Sequence, residues 1–367
     1  MTDIDALIDS ATRQRLASDA KARMVLRLSL AQALVLGTPG HAVVATALPL
    51  VDGGPRRLVH GVLGTLLRKG GTLPDPPTLP KDVAGRWKGA WGSQVLAAAR
   101  ALLSGRAPTD LTLRTSDDTA AWAERLGGTS LLPGNVRLSD APDIAGLEGF
   151  SDGSWWVQDI AASLPARLLG AGAGRHVLDL CAAPGGKTMQ LAAAGWQVTA
   201  LDASERRLER LQENLTRTGL AAQVVTADVL QWAPDAPVDA ILLDAPCSAT
   251  GIFRRHPDVL YRAGPRHIAE MAELQAALLD RAVDWLRPGG QLVYATCSLE
   301  PDEGERQIER FLAAHPQMQA VAIDSSSVPD GVKERAPGQL RLLPGMLSDA
   351  GGLDGFFIAH LSRSESD

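Results

Sequence analysis

From Gly174 onward, short apolar runs alternate with helical stretches, and this alternation restricts the fold more than any other feature of the chain. Residues 176–180, 197–201, 223–226, 239–243 and 291–295 are rich in Val, Leu and Ile, the composition of buried strands. Residues 188–194, 205–218 and 268–285 carry helical spacing, and Arg287-Pro288-Gly289-Gly290 closes the last of them. Strands separated by helices return in the same direction, which gives a mostly parallel sheet with helices on its faces. The expected class is therefore α/β and Rossmann-like. Open sheets of this kind bind ligands beyond the carboxyl ends of their strands, so the residues just after each apolar run carry the most information.

The first strand runs into Cys181-Ala182-Ala183-Pro184-Gly185-Gly186-Lys187-Thr188. Small residues and paired glycines let the backbone approach a ligand at a helix N-terminus. A phosphate loop would need Gly where Cys181 stands, and the dinucleotide fingerprint G-x-G-x-x-G is absent. Asp202 ends the second strand, where an acid suits the two ribose hydroxyls of an adenosine cofactor. Asp228 follows the third, within reach of an adenine amino group. A single carboxylate at a strand end is more often a helix cap. A glycine-rich loop with acids after two successive strands is a stronger set. It describes a pocket for S-adenosylmethionine, a sulfonium ligand that needs no phosphate cradle.

Two of the three cysteines also follow strands, Cys247 in Leu243-Asp244-Ala245-Pro246-Cys247-Ser248 and Cys297 in Tyr294-Ala295-Thr296-Cys297-Ser298. A thiol in that place is a candidate nucleophile. Beside S-adenosylmethionine its natural target is C5 of a pyrimidine, a poor nucleophile until a thiolate adds to the neighbouring C6. The C5 proton must then leave and the thiol be expelled, which calls for a second acid–base group. Asp244 is placed to face the ring N3 and the exocyclic amine. The chemistry alone does not choose which cysteine attacks. Cys181 reads as packing beneath the cofactor loop, because free cysteine is among the most buried residue types.

At 367 residues the chain exceeds one average domain. Residues 1–72 read as helices, 73–144 as a Pro/Gly-rich linker followed by a mixed α+β segment, and 145–367 as the α/β domain. Net charge is −6, yet residues 1–90 hold twelve Lys and Arg against seven Asp, a balance of +5 that hints at a polyanionic partner. The acidic start shows no secretory signal, and no apolar run is long enough for a membrane span. Three cysteines without a C-x-x-C pair read as free thiols of a reducing cytoplasm, which also argues against structural zinc.

Taken together, the chain resembles the RNA cytosine-C5 methyltransferases of the Sun/RsmB type. The likeness is carried by residues 179–188, by 242–251, by Arg254-Arg255-His256-Pro257-Asp258, by 292–298 and by Asp354-Gly355-Phe356-Phe357. It implies a seven-stranded, mostly parallel methyltransferase sheet, with Cys297 as nucleophile and Cys247 assisting release. It implies cofactor contacts from Cys181, Ala182, Ala183, Pro184, Gly185, Gly186 and Lys187, and from Asp202, Asp228 and Asp244. Arg254, Arg255 and His256 would suit the phosphates flanking the target base. Gln158-Asp159 looks like the family segment before the cofactor strand and receives no role. The N-terminal helices are similar to the second half of a NusB-like RNA-binding domain. The implied partner is RNA, small-subunit rRNA first, bound by a monomer with no metal and no membrane partner. The alternatives are the same chemistry on tRNA, and a non-catalytic RNA-binding assembly or antitermination factor.

Overall fold

The computed structural model describes residues 1–140 and 143–365. Contacts divide the chain into two units, Met1–Lys81 and Asp82–Asp367. The first is built from the helices Thr2–Ser10, Lys21–Leu34, Gly40–Ala47 and Gly53–Arg68, which bury Ile8, Leu26, Leu30, Val59 and Leu63 between them. Part of its basic charge is spent internally. Arg23, only 1% exposed, pairs with Asp5 at 3.1 Å and Asp9 at 2.8 Å, and Arg27 pairs with Asp5 at 2.7 Å.

The second unit begins with a long helix, Lys81–Ser104, broken at Gly92, whose φ of 85° is open to glycine without strain. A small antiparallel sheet follows, formed by β1 (Thr109–Leu113), β2 (Asn135–Leu138) and β3 (Trp155–Val157) in the order β2-β1-β3. Its buried Asp110 holds Arg137 through two bonds of 2.7 Å and accepts the Ile160 N–H at 2.9 Å. Arg137 in turn donates to the Ala350 and Gly352 carbonyls at 2.7 Å. These bonds fasten the segment after residue 81 to the α/β domain, and β3 lies beyond residue 144, so the small sheet and the large one form one unit.

The main sheet is built from β4 (His176–Leu180), β5 (Gln197–Asp202), β6 (Gln223–Thr226), β7 (Val238–Asp244), β8 (Leu286–Thr296), β9 (Met318–Ala320), β10 (Glu334–Ala336), β11 (Gln339–Leu342) and β12 (Phe356–Arg363). Its order is β10-β11-β12-β8-β7-β4-β5-β6, with β9 on the other part of β12. The five strands from β8 to β6 are parallel, as their helical connections require. The strands after β8 pair antiparallel, and among the described residues they bring the sheet to nine strands against the seven expected. Arg287-Pro288-Gly289-Gly290 does not separate helix from strand. It lies inside β8, where the register against β7 shifts between Val238↔Leu286 and Ala240↔Gln291. Val177, Leu180, Ile241, Leu242, Leu292 and Val293 are buried on both faces of the sheet, which is why the runs read as continuous rather than alternating. Among the described residues no helix is long and apolar enough to cross a membrane, and no group of three or more metal-ligating side chains converges.

Candidate active site

The parallel register brings the strand ends into line. Leu180 pairs with Leu201 and with Leu243, Asp202 with Thr226, and Asp244 with Ala295. The residues that follow, Cys181, Asp228, Cys247 and Cys297, therefore emerge along one edge of the sheet, with Asp202 and Asp244 at its rim.

Cys181 leaves β4 with φ 61°, and the loop turns at Gly185 with φ 103° before the helix Gly186–Ala193. A side chain at Gly185 would be strained there and would meet Leu211 at 2.8 Å. Ala182, Ala183 and Lys187 are buried. Asp202 is buried beneath this loop, accepting the Ala183 N–H at 3.2 Å and the Ser204 N–H at 2.9 Å. Asp228 is exposed and accepts the Leu230 N–H at 2.9 Å. Both acids thus also tie down their own loops. Lys187 Nζ reaches across to Asp244 at 2.6 Å, joining the cofactor loop to the end of β7.

Beneath the loop lies Asp179, fully buried, which accepts the Thr188 hydroxyl at 2.6 Å on one oxygen and has no partner on the other. Burial pushes its pKa up to about 7 against the pull of Thr188 and Lys187, and the charges of Asp244 and Asp202 add to the rise. The same burial, with the same acids, pushes the Cys181 thiol up to about 12. Cys181 is therefore an inert thiol packed under the loop. The acids make this edge of the sheet electronegative, with Lys187 bonded to Asp244 and Arg207 paired with Asp202 at 3.6 Å. A ligand carrying a sulfonium and an ammonium group fits such surroundings, and a phosphate does not.

The other thiols meet. Cys247 Sγ lies 3.4 Å from Cys297 Sγ, although 50 residues separate them. Cys247 is held protonated: the hydrogen bond with Cys297 and burial push its pKa well above that of a free thiol. Gly251 binds both neighbouring segments, donating to the Cys297 carbonyl and accepting from Gly355, each at 2.9 Å. A Cβ at Gly251 would sit 1.9 Å from the Gly355 oxygen, so only glycine permits this approach.

Sequence reasoning missed Glu303, which is fully buried although three further acids lie within three residues of it. Its carboxylate accepts the Ser248 N–H at 2.8 Å, Gln275 Nε2 at 3.1 Å, the Ser298 hydroxyl at 2.5 Å and the Ser248 hydroxyl. The Ser298 carbonyl accepts from Arg341 at 2.5 Å, and Arg341 is paired with Glu305 at 2.7 Å. No periodicity distinguishes Glu303 from Glu300, Asp302 or Glu305, so only the fold reveals it.

Arg254 and Arg255 require a correction. Arg254 has a side chain 1% exposed and pairs with Asp159 and, at 2.6 Å, with Asp354. Arg255 donates to Asp159 at 2.8 Å and to the Pro108 carbonyl at 2.9 Å. The Arg254 guanidinium is enclosed by buried carboxylates and is not presented to a phosphate, whereas Arg255 is partly exposed and His256 beside them is exposed. Burial would raise the Asp159 carboxyl, but Arg254 and Arg255 outweigh it and hold it below the usual range. Burial and the Asp159 charge push Asp354 up to about 6. Asp159, left without a role by the sequence, also caps the helix Ile160–Leu168 by accepting the Ala161 N–H at 2.9 Å. A cleft of about 530 Å³ lined by Arg114, Arg167 and Gln190 has none of these site residues in its walls.

Comparison with known proteins decides the family. The model of the 16S rRNA methyltransferase RsmB/F family matches residues 166–362, more than half of the chain. The chain belongs to this family. It is 45% identical over 236 residues to the ribosomal RNA small subunit methyltransferase B of Salmonella arizonae and, equally, to that of Salmonella paratyphi B. Each match covers 63% of this chain and 52% of the relative, so the chain spans about half the length of these curated relatives. Among solved structures, PH0851 superposes with a TM-score of 0.78 at 24% identity, over 98% of this chain and 86% of that one, which shows the fold. A methyltransferase homolog protein from Pyrococcus horikoshii gives 0.63 at 25% identity, over 82% of this chain and 98% of that one.

Two outcomes are expected from this geometry. Arg254→Ala leaves Asp159 and Asp354 buried with one cation fewer, and should destabilise the second unit by about 3 kcal/mol in urea titration. Full stability with weakened RNA binding would instead restore the phosphate role. For Asp179, the folded carboxyl holds its proton to pH of about 7 while the unfolded one loses it near 4. Stability should therefore fall as pH rises between those values, and Asp179→Asn should flatten that fall. Equal urea-midpoint losses from pH 5 to 8 in both proteins would contradict the assignment.

Proposed function

We propose that this protein transfers a methyl group from S-adenosylmethionine to C5 of a cytosine in RNA, with small-subunit rRNA as the substrate. The observation that carries the reading is the 3.4 Å approach of Cys247 and Cys297 beside the cofactor loop of a methyltransferase-family fold. Cysteine thiols have little use in methyl transfer to oxygen or exocyclic nitrogen. They are needed where the accepting carbon must first be made nucleophilic.

In this reading residues 181–187, Asp202, Asp228 and Asp244 hold the cofactor, which supplies an electrophilic methyl group. Cys297 attacks, as the family resemblance implies, and Cys247, 3.4 Å away and pushed up in pKa by the hydrogen bond with Cys297 and by burial, stands beside it as the assisting thiol. The Cys297 thiolate adds to C6, and the electron pair of the C5–C6 double bond then takes the methyl group. Asp244, bonded to Lys187, accepts from the exocyclic amine and relays to N3 the proton that Cys297 gives up, so that addition leaves no net negative charge in the ring. Elimination ends the cycle. The C5 proton passes to a water-borne base, its electron pair restores the C5–C6 double bond, and the C6–S pair leaves on Cys297. Cys247 assists that departure by hydrogen-bonding the leaving sulfur. The target base must be unpaired or flipped out for a thiol to reach C6.

The test uses two variants. Cys297→Ala should lower methyl transfer by at least about 10³-fold and form no covalent complex. Cys247→Ala should form the C6 adduct and release it poorly, so that a protein–RNA complex survives denaturation. Adduct in Cys297→Ala and none in Cys247→Ala would exchange the two roles.

A further inference from the structure

We propose that Glu303 is a positioning residue for the reaction, its buried carboxylate clamping the Cys247 loop and the Cys297 loop to each other through Ser248 and Ser298. The inference rests on the two-thiol reading above. Strand pairing ends at the Ala245 N–H to Ala295 carbonyl bond of 2.9 Å, and beyond it the loops also touch through the Gly251 N–H to the Cys297 carbonyl at 2.9 Å and the Leu299 N–H to Thr250 Oγ1 at 3.0 Å. From that point the register must be kept by other means.

Glu303 adds to these bonds a carboxylate on which the residues next to both cysteines converge. One oxygen accepts the Ser248 N–H at 2.8 Å and Gln275 Nε2 at 3.1 Å. The other accepts both seryl hydroxyls, Ser298 at 2.5 Å. Each serine adjoins a reacting cysteine, so a shift of the carboxylate would move both sulfurs. Gln275 extends the clamp by donating to the Pro246 carbonyl at 2.8 Å, one residue before Cys247. Glu303 is itself pinned, because Tyr294 and Thr296 of β8 donate to its carbonyl at 2.9 and 3.1 Å. A carboxylate is suited to the task because it offers only acceptors, and four donors converge on it here. A neutral amide in its place would meet them with two donors of its own.

The clamp also carries charge. Hydrogen bonding with Cys297 and burial are the main reasons that Cys247 keeps its proton, and the negative charge of Glu303 acts in the same direction. One carboxylate therefore sets the separation of the thiols and helps to decide which of them is the thiolate.

Glu303→Gln tests this in the full-length chain. The seryl hydroxyls rotate to accept from the new amide, so the fold survives, checked by S-adenosylmethionine affinity within about twofold of wild type. The pH profile of iodoacetamide labelling, read cysteine by cysteine by mass spectrometry, should shift for Cys247 so that labelling at fixed pH is about three- to tenfold faster. Cys181 serves as the internal control. Methyl transfer should lose about 10²-fold in kcat with the RNA KM little changed, as expected when reacting groups are misplaced rather than removed. An unchanged Cys247 profile with unchanged kcat overturns the proposal. Absence of methyl transfer in the wild-type protein would instead overturn the function reading, and the thiol profile would still report on the clamp. Ser298→Ala keeps the charge and cuts one arm, so it should lower kcat about tenfold without the labelling shift. A wild-type kcat in both Ser298→Ala and Ser248→Ala overturns the clamp even if Glu303→Gln fails to fold.

Discussion

Parallel pairing of β7 with β8 is the constraint on which the site depends. With Asp244 opposite Ala295, Cys247 and Cys297 leave neighbouring strands only three and two residues beyond the last pair. A slip of one residue would turn every side chain of β8 to the opposite face and separate the sulfurs. Burial makes that slip costly, since Ile241, Leu242, Leu292 and Val293 are fully enclosed. The antiparallel strand β12 locks β8 from its other side, pairing Phe357 with Thr296, and Gly355 just before it meets Gly251 of the Cys247 loop. The hydrophobic core thus brings onto neighbouring strands two thiols that no local feature of the chain brings together.

Charge is arranged on two levels around that edge. Asp179, Asp202 and Asp244 gather under and beside the glycine-rich loop, with Lys187 bonded to Asp244 and Arg207 paired with Asp202. In a second set, Asp159 and Asp354 are buried against Arg254, which is enclosed, and Arg255, which is partly exposed. Desolvation makes such buried ion pairs weak contributors to net stability, yet removing one partner costs several kcal/mol, so they act chiefly to specify one arrangement. Here they join the segment before helix Ile160–Leu168, the loop after Cys247 and the approach to β12. Basic residues next to a reactive loop are therefore poor guides to nucleic-acid contact unless their exposure is known.

Much of the fold was legible because it rests on local pattern. The runs 176–180 and 223–226 coincide with β4 and β6, and 205–218 with the helix Glu205–Thr218, whose apolar stripe of Leu208, Leu211 and Leu215 is unambiguous. The gathering of the strand-end residues along one edge was legible for the same reason, since a parallel sheet collects its strand ends on one side. Three things were not. Arg287-Pro288-Gly289-Gly290 has the composition of a turn but lies within β8, where tertiary pairing overrides it. Arg254 carries a charge, and its burial depends on Asp159 and Asp354, 95 and 100 residues away. Glu303 is one acid among several, and its role exists only where two loops converge.

The central claim is the acceptor atom, and the most direct measurement is transfer of labelled methyl from S-adenosylmethionine to deproteinised small-subunit rRNA, followed by nucleoside analysis. The account predicts that the label is recovered as 5-methylcytidine, with none in a DNA control. Label on an exocyclic nitrogen or a ribose oxygen would contradict it, as would failure of a cofactor-binding protein to label rRNA, tRNA or ribosomal particles.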